Sequence, residues 1–435
     1  MEVAARKFLK QHGMSWESLD LIQESRIFCE EMERGISGRS SSLKMLASYI
    51  DPSLEVERDR EVVVVDAGGT NFRIGLLRFG EDGPKLYDVQ THPMPGTEEE
   101  LDAEAFFQAL ADLIQPTMDQ EKADRLGFCF SYPTRITPTR DGRLITFTKE
   151  LQVRDVEGRL IGEELGKRLR RPVAITVLND ATAALLGLVA VGHRDQRLHS
   201  IAMILGTGMN TSYVEYNASI DKEPSLQNKL GSNVVNLESG GYGRIPQGTA
   251  DRLLDQKTTN PGEQKMEKMM SGAYLGDLFL ETILLAVEDG YLPGKPFVQF
   301  QKAGFFPTKD LTGFAQGMPS HINVMAEAAE KLSPDQQEFL HALAKGLLRR
   351  AAKLAAINLV GISLKMQKSD PVIRRLHLIM EGSTFYGSVH IQHYLDAYLK
   401  HAQLNTGIQI ERIKLENAAL LGAGLAAFAR ENDHE

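Results

Sequence analysis

The chain has 435 residues and a formal net charge of −9, with 42% hydrophobic and 25% charged residues. That length exceeds what one hydrophobic core supports, so two domains are expected, and the acidic balance without Lys/Arg clusters excludes an electrostatic nucleic-acid surface. No apolar run approaches the ~18 residues of a membrane span. The N-terminal stretch has no apolar signal core and is too acidic for a transit peptide, so a cytoplasmic protein without a membrane partner is expected. Cys29 and Cys129 lie far apart and near no His pair. Metal-ligand spacing is therefore missing, and two buried free thiols are expected.

In chain order, Leu19, Ile22, Ile27, Met32 and Ile36 recur at helical spacing, which predicts an amphipathic helix over 15–35. Val62 to Val65 is a continuous β-branched run, the mark of a strand buried on both faces. It ends in the turn signal Asp66-Ala67-Gly68-Gly69-Thr70-Asn71, and Ile74 to Phe79 resumes as the second strand of a hairpin. A third strand is predicted at 86–90, a helix at 101–114 and a buried strand at 125–131. Helical periodicity follows at 161–170, a strand at 173–178, and an Ala/Leu-rich helix at 180–189. Ser200 to Leu205 is a strand feeding Gly206-Thr207-Gly208 and a second hairpin strand around Tyr213. One device thus occurs twice, at 62–79 and 201–215. Beyond Asn260 the pattern is mostly helical, with segments at 265–288, 334–366 and 388–401, a strand at 376–380, and an Ala/Gly-rich helix at 418–430.

A strand feeding a glycine turn presents backbone N–H groups with no side chain in the way, and such turns cradle phosphate. Gly68, Gly69 and Thr70 form one cradle, and Gly206, Thr207 and Gly208 another. Asp66 stands where a carboxylate could orient Mg²⁺ through its waters, and Arg73 offers a positive fork. Two structural hairpins would leave the same trace. Other phosphate loops fail on spacing: Gly162 to Lys167 is one residue short of a P-loop and lacks the following Ser/Thr. Gly422 to Ala427 fits a dinucleotide pattern but lies inside a terminal helix, where close helix packing explains it.

Val64-Val65-Asp66-Ala67-Gly68-Gly69-Thr70-Asn71-Phe72-Arg73 resembles the first phosphate motif of the hexokinase family, the eukaryotic-type hexokinases and glucokinases of the actin-like ATPase superfamily. The resemblance continues in order through Ser41 to Leu46, Leu126 to Pro133, Phe147-Thr148-Lys149, Leu178-Asn179-Asp180 and Gly206 to Asn210. It goes on through Glu238 to Gly243 and Glu267 to Gly272. It implies an α/β fold of two actin-like (ribonuclease H-like) domains with mixed sheets flanked by helices. A small domain would span 61–178, completed by the C-terminal helix 416–431, and a large one 1–60 with 179–415. It further implies phosphoryl transfer from ATP, with Mg²⁺ held mainly through the triphosphate and waters, to the 6-hydroxyl of a hexose, glucose foremost.

In that reading Asp180 is the general base, although an Asp opening a helix is also a favoured cap. Lys149 would neutralise charge at the transferring phosphoryl group. Ser131, Thr148, Lys149, Asn179, Asp180, Asn210, Glu238 and Glu267 would hold the sugar, whose hydroxyls match carboxylates and amides. Asp66, Gly68, Gly69, Thr70, Asn71, Arg73, Gly206, Thr207, Gly208, Thr308, Gly382 and Ser383 would hold the nucleotide. His390 and His393 are read as ordinary helix residues. The chain departs from the family pattern at Phe147, where Trp is usual, and at Ser239, in place of a bulky aromatic. Glu150-Leu151 replaces Gly-Phe, and Ala273 stands where some members carry Lys. These departures bear on sugar choice. The rival readings are a catalytically weak sugar sensor on the same fold and an actin-like kinase for fructose, mannose or an amino sugar. Oligomeric state is left open.

Overall fold

The computed structural model describes residues 1–56, 59–121, 123–145, 147, 151–192 and 197–429. Its strands are β1 (Leu46–Ala47), β2 (Arg60–Ala67), β3 (Asn71–Gly80), β4 (Gly83–Pro93), β5 (Arg125–Phe130), β6 (Thr134–Ile136), β7 (Gly142–Leu144), β8 (Ala174–Leu178), β9 (Ser200–Leu205), β10 (Met209–Tyr216), β11 (Ser232–Asn236), β12 (Arg375–Glu381) and β13 (Gln409–Ile413).

Two large sheets repeat one connectivity. The first runs β4-β3-β2-β5-β8, and the second β1-β11-β10-β9-β12-β13. In each, three consecutive strands form an antiparallel meander, and two more add in parallel beside its first strand. The duplicated hairpin expected from sequence is therefore the seed of two equivalent sheets. β6 and β7 form a separate two-stranded ribbon.

Between the sheets lie the helices Asp180–Val191 and Ala418–Ala427. Their small residues let them cross at backbone contact. A Cβ on Gly187 would lie 2.2 Å from the Ala418 carbonyl oxygen, and one on Gly422 would lie 1.8 Å from that of Ala183. The glycines at 422 and 424 thus serve packing, as read from sequence. Helix Ala418–Ala427 also presses on β5, where a Cβ at Gly127 would lie 2.0 Å from the Ala423 carbonyl.

The outer face of the six-stranded sheet is covered by the long helix Pro334–Ser369, which starts with a capping box of Ser333 and Gln336. Helix Leu21–Ile36 packs along it, its first turn capped by Asp20 accepting from Gln23 N at 2.9 Å. The five-stranded sheet is covered by helix Ala103–Glu121, which buries Phe106, Phe107, Leu110 and Ile114.

Two expectations need correction. The helix predicted over 265–288 is two pieces, Lys265–Lys268 and Leu275–Glu288. The intervening backbone docks elsewhere: Gly272 N donates to Gly206 O at 2.8 Å and Ala273 N to Thr207 O at 2.9 Å. The helix predicted from residue 15 starts at Leu21, after a short 3₁₀ turn at Trp16–Ser18. Both cysteines are buried and free. Among the described residues no helix is long and apolar enough to cross a membrane.

Candidate active site

The residues singled out in the sequence gather where strands end. Asp66 lies near the end of β2, Ser131 follows β5, Asn179 and Asp180 follow β8, Gly206 follows β9, and Gly382 follows β12. Loops beyond the carboxyl ends of parallel strands are where open α/β sheets bind ligands. The two sheets present five such ends to one region.

Asp180 opens the helix Asp180–Val191, but it is not the cap. Asn179 is, its Oδ1 accepting from Ala181 N at 3.0 Å. Asp180 Oδ1 also accepts from Ala181 N, at 2.7 Å. With the cap supplied next door, the second carboxylate oxygen of Asp180 is left for other work. Protein closes around this partly exposed group, and its loss of hydration pushes its pKa up to about 7. The Ala181 N–H opposes that rise, and the carboxylates of Asp66 and Glu238 add to it.

Beside it runs a chain of amides and carboxylates. Asn210 Nδ2 lies 3.1 Å from Asn179 Oδ1, 2.8 Å from Asn236 Oδ1 and 3.3 Å from Glu238 Oε1. Asn236 Nδ2 donates to Glu238 Oε1 at 2.9 Å. Glu238 adopts φ 56° and ψ 50°, the left-handed region, just after β11. Glu267 Oε2 accepts from Met209 N at 2.9 Å, and burial pushes this carboxyl up to about 7 as well. Gly208 and Gly240 make room for it: a Cβ would lie 2.8 Å and 3.2 Å, respectively, from Glu267 Oε2. Thus Asn179, Asn210, Glu238 and Glu267 do assemble, with Asp180 in reach of their fields. Ser239, below Glu238, is fully buried, with its hydroxyl 2.7 Å from that of Thr211, which bonds Asn358 at 3.1 Å.

The glycine turns flank this group. Gly68 N closes its turn on Asn71 O at 2.9 Å, and the Tyr132 hydroxyl donates to the carbonyls of Gly68 and Gly69 at 3.1 and 3.2 Å. On the other sheet, Gly206 and Gly382 abut: a Cβ on Gly382, which has φ 112°, would lie 2.5 Å from Gly206 N. Only glycine fits there. Thr384 Oγ1 ties the pair by donating to Gly206 O at 2.8 Å. Thr70, Thr207 and Ser383 stand exposed at the three turn tips.

Two expected nucleotide contacts have protein partners here. Arg73 turns its guanidinium onto Asp66 Oδ2, with Nε at 3.1 Å and Nη2 at 2.5 Å, and Nη1 reaches Asn417 Oδ1 at 3.2 Å. Thr308 Oγ1 donates to Gly272 O at 2.7 Å and accepts from Gly276 N at 2.8 Å. Ser131 N donates to Ala67 O at 3.1 Å. Thr148 and Lys149 lie outside the described residues. Phe147 packs edge-on against Tyr132 at 5.1 Å and Phe106 at 5.5 Å, so an aromatic does wall this side.

Sequence reasoning missed Asn236, Asn417 and Glu381. Glu381 ends β12 beside Asp66 and Arg73, with its pKa raised by burial. The thiol of Cys129 is raised by burial first, then by the charges of Asp66 and Asp180.

Two family models described as hexokinase match residues 4–189 and 200–429. Hexokinase-1 of Oryza sativa subsp. japonica is 30% identical over 384 residues, spanning 80% of this chain and 75% of that protein. The chain belongs to the hexokinase family. Hexokinase-1 of Nicotiana tabacum, 27% identical, aligns over 91% of this hexokinase-family chain and 85% of its own length. The solved hexokinase from Schistosoma mansoni, complexed with glucose, superposes with a TM-score of 0.74 at 20% identity, covering 98% of both chains. The fold is therefore the actin-like ATPase fold of the hexokinases, and the chain is a hexose kinase enzyme.

Proposed function

We propose that this hexokinase-family chain transfers the γ-phosphoryl group of ATP to the 6-hydroxyl of a hexose, glucose by preference, with Asp180 as general base. One observation carries the reading: Asp180 adjoins the hydrogen-bonded set Asn179, Asn210, Asn236 and Glu238, and burial there pushes its pKa up to about 7. A base is most effective when its pKa lies near the working pH. In the proposed step, Asp180 accepts the proton of the hexose O6–H as that oxygen bonds to the γ-phosphorus. The bond from phosphorus to the β–γ bridging oxygen breaks, and ADP leaves with that electron pair.

Phosphoryl transfer rests on positioning and charge rather than covalent catalysis. Asn179, Asn210, Glu238 and Glu267 are suited to fix the sugar, because acceptors and donors alternate along them. Ser131, Thr148 and Lys149 would complete that ring from the other sheet. The turns 68–70, 206–208 and 382–383 would hold the nucleotide. Arg73 acts there through Asp66 rather than as a free fork, and Thr308 acts by bracing the backbone at Gly272 and Gly276. Mg²⁺ would enter on the triphosphate and neutralise its charge, with Asp66 reaching it through water. The donor set fits that arrangement, since the Arg73 ion pair occupies Asp66 Oδ2 alone.

The domain division proposed is 61–178 plus 416–431 against 1–60 plus 179–415. In its support, β2–β5 and β8 build one sheet, β1 and β9–β13 the other, and helix Ala418–Ala427 presses on the first.

The test is ADP release with glucose, fructose, mannose, glucosamine and N-acetylglucosamine. The reading expects turnover, greatest with glucose. Another preferred sugar would reassign the substrate, and sugar binding without turnover would favour the sensor reading.

A further inference from the structure

Asn236 is the last residue of β11, paired on one side with Ser212 of β10 and on the other with Leu46 of β1. Its backbone is therefore held from both edges, and the residue is only 5% exposed. The ladder extends one residue further, where Leu237 N donates to Thr211 O at 2.9 Å and Met45 N to Leu237 O at 3.2 Å. The chain then enters the left-handed region at Glu238. Such a conformation at a non-glycine residue costs about 1–3 kcal/mol and persists only where surroundings over-determine it.

The hydrogen-bond count shows which surroundings do so for the side chain. Asn210 Nδ2 carries two hydrogens and has three acceptors within reach. Glu238 Oε1, at 3.3 Å, is the farthest of the three, so the shorter bonds to Asn179 and Asn236 claim both hydrogens. That leaves Asn236 Nδ2, at 2.9 Å, as the principal donor to Glu238 Oε1. Among the described residues, Glu238 Oε2 has no hydrogen-bond partner, so it is the oxygen available to a ligand hydroxyl. One carboxamide therefore accepts from Asn210 and donates to Glu238, fixing both relative to a strand. A carboxylate could only accept, and Ala could do neither.

We infer that Asn236 is a positioning residue for sugar binding: it orients Glu238 and Asn210, and through them sets affinity for the hexose. This rests on the reading of Glu238 and Asn210 as sugar contacts. The hexose KM of Glu238→Ala tests that reading, and the Asn236 variants test only the positioning.

The variants are Asn236→Ala and Asn236→Asp, assayed for hexose KM, ATP KM and kcat between pH 6 and 8. Loss of a bridging hydrogen-bond partner should raise hexose KM about tenfold in Asn236→Ala, with ATP KM and kcat within about twofold of wild type. Asn236→Asp sets a second carboxylate against Glu238. At pH 8 it should bind hexose as weakly as Asn236→Ala or worse. Toward pH 6 a proton shared between the two carboxyls restores a donor to Oε1, so its KM relative to wild type should fall several-fold. Among the described residues, Asp180, on the helix Asp180–Val191, and Glu267, on the short helix Lys265–Lys268, also face Glu238. Both titrate in wild type too, so the ratio to wild type cancels them. The Asn236→Ala ratio should stay flat with pH. Should Asn236→Ala not fold, the near-isosteric Asp variant decides alone. Hexose KM near wild type in either folded variant at pH 8, an equal rise in ATP KM, or a pH-flat ratio for Asn236→Asp overturns the inference.

Discussion

Gly422 sits so close to Ala183 that a Cβ on it would lie 1.8 Å from the Ala183 carbonyl oxygen. Ala183 is in the first turn of the helix that begins with Asp180, so this contact sets where Asp180 stands relative to the five-stranded sheet. Gly422→Ala inserts a methyl where backbone meets backbone. It should destabilise the protein by about 1–3 kcal/mol, despite the better helix propensity of Ala. Thermal unfolding measures the loss, and a variant as stable as wild type would contradict the packing.

Asp180 and Glu267 both have pKa values raised to about 7. For a base that must be ionised, kcat/KM should rise with pH up to about 7 and level off above it. The stability consequence has the opposite sign. An acid that holds its proton more tightly when folded costs nothing below its unfolded pKa. It lowers stability as pH rises towards the folded value, and by a constant amount above that. Asp180→Asn should therefore be more stable than wild type at pH 8, by about 1–4 kcal/mol, and show no gain at pH 4. Denaturant unfolding at the two pH values checks this, and equal differences at both would refute it.

Glu238→Ala and Glu267→Ala should raise hexose KM about tenfold or more, since each leaves sugar hydroxyls without a partner. The KM for ATP should change little. Steady-state kinetics in both substrates separates the two, and a defect selective for ATP in either variant would move that residue out of the sugar site.

The proposed sugar residues come from both sheets, Ser131 from the end of β5 and Asn210, Glu238 and Glu267 from the other side. A hexose touching all of them favours a closed arrangement, because only that state makes every contact. Saturating hexose without nucleotide should therefore reduce the radius of gyration in solution scattering. An unchanged profile, with binding established by calorimetry, would remove closure from the account.

The strand-to-glycine turns were readable because β-branched runs and glycines serve local geometry, and both survive folding unchanged. Hence β2, β9 and the turns at 68–70 and 206–208 stand where sequence placed them. The break at Gly272 was not readable. Met269, Met270 and Leu275 continue an apolar pattern across it, and the cause is the tertiary docking of Gly272 on Gly206. Charge and the motif resemblance point Arg73 at phosphate, while in the structure Asp66 lies opposite it in the β2–β3 register and takes the guanidinium. Asn236 left no trace, because Ser232–Asn236 is a short strand with only two apolar residues, Val234 and Val235. Its meaning lies in Asn210 and Glu238, which flank it on two elements.

The most direct test of the central claim is single-turnover phosphoryl transfer by Asp180→Ala, with hexose affinity measured on the same protein by calorimetry. A positioned proton acceptor contributes about 10²–10⁴-fold, so the rate should fall by that factor while the sugar Kd changes much less. Near-wild-type transfer by the folded variant would contradict the account of Asp180 as the base.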